Sequence, residues 1–178
     1  KNLCLAGGVA LNCCANQVLA KSGIFENIFV QPAAGDAGGA LGAALYVHYA
    51  LLDNPRIPQS HDQVLQLSGL GPDFTADEIE ALLIRHGLTY KKMNEQQMYA
   101  YCANALNDQK IIGWFQGRME FGPRALGQRS IIGDPRNADM QKKMNLKIKF
   151  RESFRPFAPA ATEDAADEYF DIPDSSKL

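Results

Sequence analysis

GRMEFGPRALGQR (residues 117–129), continued by SIIGDPR (130–136), is the stretch that decides how this chain is read. Its twenty residues carry four arginines, four glycines and two prolines, directly behind the apolar run Ile111-Ile112-Gly113-Trp114-Phe115. A short apolar run rich in β-branched and aromatic residues predicts a buried strand. A Gly- and Arg-rich loop delivered by such a strand presents guanidinium forks to an anion. Glycine lets the backbone approach a ligand closely, and Pro123 fixes the turn. One arginine in a loop reads as a solvated charge. Arg118, Arg124 and Arg129, at spacings of six and five and flanked by Phe121 and Leu126, read as a site.

Downstream, residues 139–148 predict an amphipathic helix through Met140, Met144 and Ile148. KFRESFRPFAP (149–159) follows. Alternation in an extended segment sets Lys149, Arg151 and Ser153 on one face and Phe150, Glu152 and Phe154 on the other. With Arg155, that row suits a second phosphate or carboxylate; a strand edge guarded by charge fits the same pattern. From Thr162 an acidic helix and then coil are expected, with no chemistry assigned.

Upstream, Thr75 heads a helix with Glu78 three residues on, a capping box. Ile79, Leu82 and Leu83 supply its buried face, and Gly87 ends it after His86, whose place suits the helix dipole. Residues 88–93 predict a strand, and 96–106 a helix with Met98, Cys102 and Leu106 at i, i+4 and i+8. Residues 110–116 form the strand that delivers the arginine loop. This αβαβ order points to an α/β or α+β unit.

Near the start, residues 2–6 predict a buried strand, and Gly7-Gly8 turns into a helix over 9–21 with Asn12 and Asn16 on one face. Strand, diglycine turn and helix N-terminus together suit a phosphate or nucleotide. The same turn also serves close packing, and the residues allow both. A second strand over 26–31 ends at Pro32. In GDAGGALGAA (35–44), Asp36 stands where an N-cap belongs, ahead of a helix running to about residue 52. Its small residues, Gly38 among them, permit close packing against a strand or a ligand. Residues 53–66, with Pro55, Pro58, Ser60 and His61, read as a linker. His48 and His61 read as structural or exposed.

Composition sets outer bounds. At 178 residues the chain suits one domain or parts of two, and 46% hydrophobic and 21% charged residues are ordinary for a globular protein. A net charge of −2 argues against a polynucleotide or an anionic membrane as partner. The charge is uneven: eleven of 18 Lys and Arg fall between Lys110 and Arg155, against four acids there. That local excess suits a small anionic ligand. Cys4, Cys13, Cys14 and Cys102 form no metal-ligand spacing, and the first three lie in apolar segments as small hydrophobes. Reduced thiols in a cytoplasmic setting are expected, and no stretch approaches the ~20 apolar residues of a membrane span.

GRMEFGPRALGQRS (117–130), NLKIKFRESFRPFAPA (145–160), LCLAGGVALNCCAN (3–16) and PAAGDAGGALGAAL (32–45) together resemble the O-carbamoyltransferase family of nodulation and antibiotic-tailoring enzymes. The resemblance implies an α/β chain of two parts. Residues 1–52 are the C-terminal part of an actin-like nucleotide- and metal-binding domain of the threonylcarbamoyl-transfer type. After a linker over 53–66, residues 67–178 are part of a C-terminal domain resembling the bacterial threonylcarbamoyl-adenylate synthases. The implied reaction moves a carbamoyl group from carbamoyl phosphate, through a carbamoyl-adenylate made with ATP, to a hydroxyl of a small molecule. The beginning at Lys1 without Met reads as a piece of a longer chain, and the terminal Ser176-Lys177-Leu178, which matches the peroxisomal address, reads as an accident of truncation.

By the same resemblance, Gly7, Gly8, Asn12 and Gly38 serve the nucleotide. Asp36 is one ligand of a divalent metal, iron or magnesium, whose histidine ligands would precede Lys1. Arg118 and Arg124 lead as catalytic residues that bind and stabilise charge, since arginine is too basic to act as a general base. Arg129, Lys149, Arg151 and Arg155 bind substrate or nucleotide, or hold the loop through Asp134, Glu120 or Glu152. Glu120 is also open as the partner that positions Arg124. Two other readings stand beside this one: threonylcarbamoyl-type modification of tRNA or protein, and a catalytically silent nucleotide- or anion-binding module. FGPRALG and ESFRPFAP favour transfer to a small-molecule hydroxyl. Nothing in the sequence specifies the acceptor or an oligomeric state.

Overall fold

A computed structural model describes residues 1–57 and 68–171. It is a mixed α/β structure that divides into two compact units, and the division does not follow chain order. The first unit holds residues 1–57, 68–71, 119–126 and 161–171; the second holds 72–118 and 127–160.

In the first unit, β1 (Asn2–Leu5) pairs in parallel with β2 (Asn27–Val30), Asn2 opposite Asn27 and Leu5 opposite Val30. The crossover is a single 3₁₀ turn, Gly8–Leu11, followed by α1 (Cys13–Lys21). β1 is not the buried strand its composition suggests. Asn2 and Cys4 are exposed, and β2 is its one partner among the described residues. Cys13 and Cys14 are exposed as well, so these thiols do not act as core hydrophobes. The expected helix over 9–21 breaks at Asn12, whose backbone is extended and whose side chain accepts from the Ala15 N–H at 3.2 Å. Asn12 therefore caps α1 rather than sharing a face with Asn16, which donates to the Ala10 carbonyl at 2.8 Å. After Pro32, α2 (Asp36–Tyr46) runs on as a π-helical turn, Val47–Leu51. Its N-cap is Gly35, and Asp36 is the first helical residue, where its charge still favours the positive end of the dipole. Late in the chain, α6 (Glu163–Tyr169) is the expected acidic helix, and its neighbour Asp171 pairs with Lys21 at 2.8 Å.

The second unit opens with α3 (Ala76–Arg85), capped by Thr75 and Glu78 in both directions. α4 (Glu95–Asn107) carries a matching box from Asn94 and Gln97. Its Met98, Cys102 and Leu106 are half-buried beside the buried Ala105. Two expectations fail here. Ile79 and Leu82 are 45% and 50% exposed, so the apolar face of α3 is not covered. Residues 88–93 form no strand, because that segment is tied to α3: Glu80 accepts from the Tyr90 hydroxyl at 2.7 Å and from Lys92 Nζ at 2.9 Å.

β3 (Ile112–Phe115) and β4 (Arg129–Ile132) then form an antiparallel pair, Phe115 opposite Arg129 and Ile112 opposite Ile132. α5 (Met140–Met144) buries both its methionines and passes into a π turn, Asn145–Lys149, where Ile148 is exposed. Residues 149–155 are not extended. Phe150 sits in the left-handed region and Ser153-Phe154 turn, so the alternation that would line up Lys149, Arg151 and Ser153 is not realised. Of the expected linker, residues 53–57 have no regular structure, while Pro58, Ser60 and His61 lie outside the described residues. Among the described residues, no helix is long and apolar enough to cross a membrane.

Candidate anion-binding site

The turn between β2 and α2 is the floor on which three separated motifs meet. Ala33 and Ala34 are buried there. Gly38 lets α2 close over that turn: a Cβ at this position would stand 2.1 Å from the Ala33 carbonyl oxygen. The Gly7 N–H donates to the Ala34 carbonyl at 2.6 Å, which pins the diglycine turn to the same place. From the arginine loop, Gly122 lies against Pro32 and Ala33. A Cβ on Gly122 would be 3.0 Å from the Pro32 carbonyl oxygen and 3.3 Å from Ala33, and its φ of +134° is a conformation that only glycine adopts readily.

The loop around Gly122 is held on both sides. The Phe121 N–H donates to the Ser68 carbonyl at 2.6 Å, and the Gly71 N–H donates to the Met119 carbonyl at 2.9 Å. Glu120, 4% exposed, accepts from the Leu126 N–H at 2.7 Å. A buried carboxylate that takes a backbone N–H closes the loop into a staple, with Pro123 and Arg124 exposed at its tip. The loop therefore presents Arg124 from the unit that also contains the diglycine turn, Asp36 and Gly38. Space beside Gly7 and Gly8 is open, since a Cβ on either would meet nothing within 4 Å.

The second unit contains the other candidates. Arg118 is exposed, and Arg129 is half-buried within β4. Arg136 is fixed on Asp134, with its Nε at 2.9 Å from Oδ1 and its Nη2 at 2.7 Å from Oδ2. The Arg136 guanidinium and N–H hold the Asp134 carboxyl well below its ordinary range, at about 2. Gln109 joins them at 3.1 Å from Asp134 and accepts from Asn137. Arg155 pairs with Glu152 at 2.8 Å, in keeping with a holding role. Lys149 is exposed at the end of the π turn, and Arg151 lies with its guanidinium 4.9 Å from the centre of the Phe157 ring.

Asn145 is the residue that composition and spacing gave no reason to select. It is completely buried and bonds to residues 151, 153 and 155. A polar residue directly after the buried Met144 was the one available signal.

The metal expected at Asp36 finds no complete ligand set among the described residues. Asp36 is exposed, and no group of three or more His, Cys, Asp or Glu among the described residues comes together to hold an ion. A single carboxylate binds a hard cation weakly.

A family model described as Carbamoyltransferase N-terminus matches residues 1–45, and one described as Carbamoyltransferase C-terminus matches residues 103–177. The uncharacterized protein sll1178 of Synechocystis is 54% identical over 97% of this chain and 28% of its own length. The nodulation protein NolNO of Sinorhizobium fredii is 47% identical over 98% of this chain and 25% of its own length. The nodulation protein NolO of Bradyrhizobium diazoefficiens is 45% identical over 98% of this chain and 31% of its own length. The chain thus spans between a quarter and a third of these curated relatives. With both of its ends matched by models of one family, and the motifs of those ends meeting on one turn, the chain belongs to the carbamoyltransferases.

Proposed function

We propose that the protein to which this chain belongs moves a carbamoyl group from carbamoyl phosphate to a hydroxyl of a small molecule, by way of a carbamoyl-adenylate made with ATP. On this reading residues 1–52 are the end of an actin-like domain, and residues 67–178 are part of an α/β domain of the adenylate-forming type. The balance is simple. Carbamoyl phosphate, ATP and one water give the adenylate, pyrophosphate and phosphate. The acceptor hydroxyl then attacks the carbamoyl carbon, AMP leaves, and the hydroxyl proton passes to solvent.

The residues of this chain supply binding and charge stabilisation. Carbamoyl phosphate, ATP and the adenylate all carry phosphate, so pre-set cations lower the barrier without reorganising. Arg124 would hold a nucleotide phosphate in the open space beside Gly7 and Gly8. Arg118, Arg129, Lys149 and Arg151 would supply cations for the phosphates of the adenylate-forming step, with Arg155 holding the loop through Glu152. Asn12 and Gly38 would contribute through the shape of the turn they stabilise. The observation that carries the proposal is the docking of Gly122 on Pro32 and Ala33, which joins the arginine motif to the diglycine motif in a chain of this family.

Pyrophosphate release by the full-length protein tests it. With ATP present, release should depend on added carbamoyl phosphate and fall by at least about tenfold in Arg124→Ala, the scale of one charge-assisted hydrogen bond. Release that ignores carbamoyl phosphate would refute the proposal.

A further inference from the structure

The basic loop 149–155 takes its shape from one buried amide. Asn145 Nδ2 donates to the Ser153 carbonyl at 3.1 Å and to the Arg155 carbonyl at 2.7 Å, and Oδ1 accepts from Arg151 Nε at 2.6 Å. Both amide protons and the amide oxygen are therefore directed at the loop. The Arg151 N–H donates to the Asn145 carbonyl at 3.1 Å as well. One turn earlier, Gln141 Nε2 donates to the Phe154 carbonyl at 3.2 Å and to the Arg155 carbonyl at 3.1 Å. Asn145 also opens the π turn, a helix defect that recurs at functional sites.

The chemistry of the partner matters as much as its position. Arg136 is held by a carboxylate, which cancels its charge. Arg151 is held by a neutral amide, which orients the guanidinium and leaves its charge intact. Phe157 fixes the plane of that guanidinium from one face. Arg155 is paired with the Glu152 carboxylate, which offsets its charge as Asp134 does that of Arg136, whereas Arg151 is engaged through Nε on Asn145 and its Nη end is not used by that bond.

We infer that Asn145 is a positioning residue for anion binding: it orients Arg151 and sets the backbone of Arg155 so that this loop receives the phosphate of carbamoyl phosphate. The inference rests on the function proposed above and names a binding determinant that reading lacks. An aspartate at this position would offer no protons to the two carbonyls and would neutralise Arg151.

The test compares full-length wild type with Asn145→Asp and Gln141→Ala. Gln141 is exposed, so its variant does not depend on refilling a core position. The KM for carbamoyl phosphate should rise about tenfold in Asn145→Asp and about threefold in Gln141→Ala, with kcat kept within about twofold. An unchanged KM in both variants overturns the inference, as does a loss of kcat and melting temperature with KM unmoved. If wild type shows no turnover dependent on carbamoyl phosphate, the proposed function fails, and titration with inorganic phosphate decides the inference separately. Weaker phosphate binding in both variants supports it; binding undiminished, or absent in wild type, overturns it.

Discussion

Substituting alanine for Gly122 isolates the docking that defines the candidate site. Two costs arise. A φ of +134° is outside the range L residues adopt comfortably, at about 1–3 kcal/mol. The new Cβ would also press on the Pro32 carbonyl oxygen at 3.0 Å and on Ala33, which is fully buried and has no room to withdraw. Overpacking of that kind adds about 1 kcal/mol or more. Together the loop should lose about 2–4 kcal/mol of its preference for the docked state, a shift of roughly 30- to 1,000-fold in its opening equilibrium.

Hydrogen exchange reads this directly. The Phe121 N–H and Leu126 N–H are bonded only while the loop is closed on Ser68 and Glu120, so both should exchange faster by that factor. Amides of α3, in the other unit, should not change. Gly127→Ala is the control, because Gly127 has a φ of +114° but a Cβ there would meet nothing within 4 Å. It carries strain without the contact. If Gly122→Ala leaves the Leu126 amide unaffected, or if Gly127→Ala accelerates it equally, contact with Pro32 and Ala33 does not hold the loop. Pyrophosphate release should fall with the docked population, since Arg124 is carried on the same loop.

Three further outcomes are expected. Arg136 lowers the Asp134 carboxyl from 3.8 to about 2, so its folded value lies below its unfolded one. The stability it contributes is complete above about pH 4 and is lost as pH falls through about 2; urea unfolding of wild type and Asp134→Asn between pH 5 and 2 should converge only at the acid end, and a constant gap would contradict this. Thr75→Ala removes half of a reciprocal cap and should cost about 1 kcal/mol by circular-dichroism melting, with Thr75→Ser close to wild type; equal losses would point to the methyl group instead. Glu120→Ala deletes the acceptor for the Leu126 N–H and should speed its exchange by about tenfold or more, whereas Glu120→Gln keeps an oxygen there and should do less.

How far sequence reached follows from the range of the interactions involved. Thr75 and Glu78 bond to each other within one turn, so the start of α3 was legible and is found where expected. The strand before the arginine loop was legible because Ile112, Trp114 and Phe115 carry β preference in their own side chains, but its expected burial fails: Gly113 is exposed and Phe115 is 50% exposed. Residues 88–93 have the same local look and form no strand, because Glu80 draws Tyr90 and Lys92 to α3 instead. Apolar periodicity puts Asn12 inside a helix, yet its short polar side chain favours ending one turn and capping the next.

The arginines show the deeper limit. Arg136 and Arg151 look equivalent in a sequence, each in a Gly- or Phe-rich basic segment near an acid. Their difference lies in the partner: Asp134 stands two residues from Arg136 and neutralises it, while Glu152, adjacent to Arg151, is taken by Arg155, and Arg151 goes to Asn145. A nearest-acid rule assigns the first pair correctly and the second wrongly. Whether a guanidinium is neutralised within the fold therefore depends on which buried side chain reaches it: a carboxylate offsets the charge of Arg136, and a buried amide leaves that of Arg151 in place.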